Sequence, residues 1–72
     1  MELVKKGVYR HYKGNLYAVV DLATHSESLE KMVVYRALYG DFGLWIRPLS
    51  IFLEKIEFNG KIQNRFEWVS ET

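Results

Sequence analysis

The chain contains no cysteine, a single proline and no apolar run that approaches membrane-spanning length. Without cysteine there is no disulfide framework, no thiolate nucleophile and no cysteine-based zinc or iron–sulfur site. Stability must come from packing or from oligomerisation. The opening Met1-Glu2-Leu3-Val4-Lys5-Lys6-Gly7 lacks the apolar core of a signal peptide, so the sequence reads as cytoplasmic with no membrane partner. An excess of one charge is missing too. Ten Lys and Arg against nine Asp and Glu leave a formal charge of +1, which argues against the broad electrostatic footprint of a dedicated nucleic-acid binder. The five glycines are dispersed rather than gathered into a phosphate-binding loop. His11 and His25 are the only histidines and fit no metal-ligand spacing, so no cofactor or metal is expected. No segment repeats or falls to low complexity.

What is present is enough for one packed domain. A chain of 72 residues that is 49% hydrophobic and 15% aromatic is too apolar for a disordered segment. At this length only about 60% of the unfolded chain's surface can be buried, so residues 1–72 form a single domain with a small core.

The centre of the chain is Val33-Val34-Tyr35-Arg36-Ala37-Leu38-Tyr39, then Gly40-Asp41-Phe42-Gly43, then Leu44-Trp45-Ile46-Arg47-Pro48. β-branched and aromatic residues fill the two runs and Pro48 ends the second, so both have strand chemistry. A four-residue connection places Tyr39 opposite Leu44, Leu38 opposite Trp45 and Arg36 opposite Arg47. Directly opposed arginines repel unless an anion lies beside them. A protein carboxylate from Glu54, Glu57, Glu67, Asp21 or Glu30 could supply it. So could an external phosphate or carboxylate terminus held beside the flat face of Trp45.

Val8-Tyr9-Arg10-His11-Tyr12 and Leu16-Tyr17-Ala18-Val19-Val20-Asp21-Leu22 flank Gly14-Asn15, a short-hairpin signal. With Gly14 and Asn15 as central turn residues, Arg10 lies opposite Val19 and Tyr12 opposite Tyr17. Thr24 to Lys31 is polar and reads as an exposed connection. Leu49 to Leu53 reads as one helical or 3₁₀ turn that plugs an end of the core. Glu54 to Phe58 alternates as a half-buried strand does, Asn59-Gly60 is a strong hairpin dipeptide, and Lys61 to Val69 returns. Five or six short antiparallel strands in so short a chain point to a mainly β, SH3-like barrel.

The blocks Tyr9-Arg10-His11-Tyr12-Lys13-Gly14-Asn15-Leu16-Tyr17, His25-Ser26-Glu27, Val33 to Gly40 and Trp45-Ile46-Arg47-Pro48, in this order, resemble a small bacterial family, domain of unknown function family 1653. The resemblance spans most of the chain from Gly7 onward. It implies a compact, mostly β, SH3-like domain of bacterial origin, and no catalytic or ligand residue can be carried over from it.

Function must therefore be argued from side chains. Thr24-His25-Ser26-Glu27 contains a hydroxyl, an imidazole and a carboxylate, but neighbours in sequence do not form a catalytic constellation. Ser26 and Glu27 are expected to organise the turn, and no catalytic residue is assigned. Aromatic and basic residues concentrate on the first two hairpins: Arg10, Tyr12, Tyr17, Arg36, Trp45 and Arg47, with His25 at the rim. These predict a non-catalytic binding module that contacts an anionic partner, either single-stranded nucleic acid or an acidic, extended protein segment. The alternatives are a protein–protein assembly domain or homo-oligomer that pairs through a sheet edge, and a small hydrolase-type enzyme using His25 with Glu27 or Arg36.

Overall fold

The structure is a computed structural model that describes residues 4–72. The reading of Met1, Glu2 and Leu3 as no part of an apolar leader lies outside the described residues. Among the described residues, seven strands and one helix follow in order: β1 (Gly7–His11), β2 (Leu16–Thr24), β3 (Lys31–Ala37), β4 (Leu44–Pro48), α1 (Leu49–Phe52), β5 (Lys55–Phe58), β6 (Lys61–Asn64) and β7 (Phe66–Ser70). The protein is mainly β and every strand pairing is antiparallel. Five strands form one sheet in the order β4-β3-β2-β1-β7, and β5 with β6 forms a separate hairpin. The sheet ends at β4 and β7 without a pairing between them, so the strand pairing does not close the barrel expected from the sequence. Seven strands replace the expected five or six because Arg65 turns the chain and divides the return segment into β6 and β7. Its backbone N–H donates to the Glu54 carbonyl, and its own carbonyl accepts from Tyr12, each at 3.0 Å.

Asn59 and Gly60 both adopt positive φ, 55° and 79°, and Phe58 pairs with Lys61 across them. That is the two-residue turn their identities predict. The β1–β2 and β3–β4 hairpins use longer turns. His11 pairs with Asn15 across Tyr12-Lys13-Gly14, which brings Tyr9 opposite Tyr17 and Arg10 opposite Leu16. Likewise the Ala37 N–H donates to Gly43, which puts Tyr35 opposite Trp45, Val33 opposite Arg47 and Arg36 opposite Leu44. Both registers are displaced by three residues from the sequence expectation. An odd displacement moves each strand's alternating side chains to the other face relative to its partner.

One face of the sheet carries the core. Val4, Tyr9, Val19, Val33, Tyr35, Phe52 and Phe66 pack together, with Tyr17, Leu22, Leu49 and Trp68 against them. The short helix places Phe52, 1% exposed, flat on Phe66 at 4.2 Å between ring centroids. α1 therefore plugs the core as its apolar run suggests. Tyr9 and Tyr35 meet the Phe52 ring edge-on at 5.4 and 5.7 Å. Burying side chains of this size contributes about 1.5–3 kcal/mol each. A bulge between Val19 and Asp21 in β2 and another between Val8 and Tyr9 in β1 bend the strands at these points.

Candidate binding face

Along β3 the odd-numbered side chains turn inward, and β4 answers with Trp45 opposite Tyr35 and Arg47 opposite Val33. Arg47 is thereby drawn under the aromatic cluster. Its Nε donates to the Tyr35 hydroxyl at 3.1 Å, and its guanidinium carbon lies 5.5 Å from the centre of the Phe66 ring, within cation–π range. Tyr17 joins from β2, edge-on to Tyr35 at 5.3 Å and to Phe66 at 5.7 Å. Its hydroxyl shares a 2.7 Å hydrogen bond with that of Tyr39, from the turn after β3. His11 closes the far side, edge-on to Phe66 at 4.9 Å.

The protonation states are set by burial. Desolvation, with smaller contributions from Arg47, Arg65 and Lys13, pushes the His11 pKa below its ordinary value, so the imidazole is neutral near pH 7. Its Nδ1 accepts the Lys13 N–H at 3.2 Å, which leaves the ring proton on Nε2 as a donor. Burial and the hydrogen bond to Tyr39 push Tyr17 up to about 12, so its phenol keeps its proton. The face thus combines a permanent cation, phenolic hydroxyls and an imidazole donor. Among the described residues no carboxylate reaches Arg47. Of the acids that could have done so, Glu54 binds Arg65 at 2.7 Å and Glu67 lies 3.5 Å from Arg10.

The sequence-predicted set divides in two. Tyr17, Trp45 and Arg47 come together on this face, and Tyr12 borders it, 4.5 Å from His11 and 5.2 Å from Phe58 between ring centroids. Arg36 does not join them. It lies opposite Leu44 on the other side of the sheet, where Nη1 donates to the Phe42 carbonyl at 2.7 Å and secures the turn. The expected convergence of Arg36 with Arg47 and Trp45 is therefore corrected by the register. Arg10 is likewise on the outer side, in an exposed contact with Glu67 of the sort that contributes little. His25 belongs to a turn. Its Nδ1 accepts the N–H groups of Glu27 and Ser28 at 3.2 and 3.3 Å, and Ser28 Oγ accepts from Glu30. His25 and Ser28 organise this turn rather than Ser26 and Glu27. At about 3.3 Å per residue, His25 stands roughly 25 Å along β2 from Tyr17, so it cannot act with Arg36. Tyr35, Tyr39, His11 and Phe66 complete the face and were not among the predicted site residues. The alternation of Val33, Tyr35, Ala37 and Tyr39 carried a signal for the two tyrosines.

The model of a protein family of unknown function, DUF1653, matches residues 7–68. The chain belongs to this family. A crystal structure of a DUF1653 protein from Bordetella bronchiseptica is similar to it, with 38% sequence identity and a TM-score of 0.88 over 96% of this chain and 91% of that one. No curated protein matches. Among the described residues of this DUF1653 domain, no helix is long and apolar enough to cross a membrane.

Proposed function

We propose that this domain is a non-catalytic, SH3-like binding module whose aromatic face receives a carboxylate from an acidic, extended protein segment. The observation that carries the reading is Arg47, held by Tyr35 and Phe66 with no internal carboxylate among the described residues. A guanidinium fixed by its Nε presents its remaining N–H donors ready for a planar acid. The half-exposed indole of Trp45 offers the adjoining flat surface on which such a segment can lie. The SH3-like part of the reading is supported by the β1 to β4 meander, the return of β7 to β1 and the helical turn ahead of the last strands. A protein segment is favoured over nucleic acid because the net charge is only +1, and because Arg10 and Arg65 already face acids.

Titration with a Glu- and Asp-rich peptide and, in parallel, with a single-stranded oligonucleotide tests this. The peptide is expected to bind, with Arg47→Ala weakening it at least tenfold and Arg36→Ala, on the other side of the sheet, leaving it unchanged. Equal losses in the two variants mean diffuse charge attraction and overturn the site. Binding of the oligonucleotide alone, with affinity falling steeply with salt, replaces the partner class.

A further inference from the structure

β4 is an edge strand whose protection is missing. Sheet edges are normally blunted by charge, by proline or by a bulge. Here Leu44, Trp45 and Ile46 are 54%, 56% and 61% exposed in succession, no bulge interrupts the β3–β4 ladder, and Pro48 comes only at the strand's end. The one charge, Arg47, is turned inward to Tyr35. The hydrogen bond from Ala37 N–H to the Gly43 carbonyl fixes which backbone groups are spent. In an antiparallel ladder these alternate, so Gly43, Trp45 and Arg47 face β3, while Leu44 and Ile46 direct both N–H and C=O outward.

We propose that this edge pairs with the same strand of a second copy, antiparallel, about a twofold axis through Trp45. In that register Leu44 lies opposite Ile46 of the other chain, and both are residues with outward backbone groups, so each N–H and C=O finds a partner. The side chains agree with the backbone. Leu44 meets Ile46 on the outer face of each chain. The two indoles meet at the axis in a non-hydrogen-bonded pair, where strands approach most closely. Arg47 falls opposite Gly43, so no like charges are opposed. Moving the register by two residues one way sets Leu44 against Pro48, which has no N–H to give. Moving it the other way sets Ile46 against Phe42, a turn residue with φ of 56°. The strand is thus complementary to itself in one register, which argues for a second copy over an unrelated strand. The interface is small, so the dimer dissociates on dilution. The two readings share Trp45, but Leu44 and Ile46 lie on the opposite side of the sheet from Arg47, so Ile46→Lys tests the pairing without touching the carboxylate site.

Sedimentation of the whole chain from micromolar to millimolar concentration is expected to show a monomer–dimer equilibrium. Ile46→Lys should shift its dissociation constant toward monomer by at least tenfold, while far-UV circular dichroism stays unchanged. Because the natural sequence has no cysteine, Trp45→Cys supplies a second readout that needs no loss of structure. Mild oxidation should link it into dimers at the axis much faster than Leu29→Cys, an exposed control on the β2–β3 turn. Monomer throughout the range, or equal cross-linking of the two cysteine variants, overturns the proposal.

Discussion

β3 and β4 are hydrogen-bonded neighbours with similar apolar content and opposite surroundings. On β3, Val33, Tyr35 and Ala37 are buried, Val33 completely, whereas Leu44, Trp45 and Ile46 on β4 are all more than half exposed. The two strands share a ladder, yet only β3 has strands on both sides, whereas β4 is an edge of the sheet. Hydrophobic residues on β3 therefore hold the fold. Those on β4 remain available for contact, and Arg47 marks the seam between the two regimes.

Four measurements of stability and one of protonation can break this contrast or sharpen it. The largest effect is expected at the buried side. Phe52→Ala removes the ring stacked on Phe66 and should lower the unfolding free energy by about 3–5 kcal/mol, read as a fall in urea midpoint at unchanged slope. In a domain this small, that is a large part of the total. Gly7→Ala attacks the same region through the backbone. Gly7 has φ of +139°, and an added Cβ would overlap the Ser70 carbonyl oxygen and lie 2.7 Å from Trp68 Nε1. A cost of about 1–3 kcal/mol in the same assay is expected. Tyr35→Phe tests the seam. It keeps the ring and removes the acceptor of the Arg47 Nε bond, so stability should fall by about 1 kcal/mol.

Alkali probes that seam from the side of Tyr17. Its folded pKa of about 12 stands above the ordinary 10.0, so between those values the folded chain binds more protons than the unfolded one. Stability is fully present below pH 10 and declines as pH rises toward 12. Urea midpoints at about pH 9 and about pH 11.5 should show the drop, and Tyr17→Phe should diminish it. The smallest effect is expected at the bare edge. In dilute solution Ile46→Ser should change stability by less than about 0.5 kcal/mol. A loss comparable to that of Phe52→Ala would mean that β4 belongs to the core after all.

Much of the architecture could be read from residue types. The strand runs are marked by β-branched and aromatic residues, the helical turn by the apolar cluster after Pro48, and the last hairpin by Asn59-Gly60. Register was the part that escaped. Gly14-Asn15 looks like the centre of a two-residue turn, but Gly14 instead ends a three-residue loop and Asn15 already pairs with His11. At the central hairpin, Leu38 donates to the Leu16 carbonyl on β2, and Arg36 clamps the Phe42 carbonyl. The first contact comes from outside the hairpin's own sequence and the second from within its loop, and both accompany the longer loop. The resulting slip leaves Trp45 and Arg47 together, as i and i+2 on one strand must be, but sends Arg36 to the other side. Sequence alternation within a strand was thus a reliable guide to which side chains share a face, and pairing between strands was not.

The β5–β6 hairpin sits in its own two-stranded sheet, joined to the body where Arg65 meets Glu54 and Tyr12. Its tip, Asn59-Gly60, is solvent-exposed. A peptide tag or fluorophore spliced between these two residues should therefore leave the fold intact, because exposed hairpin tips accept insertions that interior turns reject.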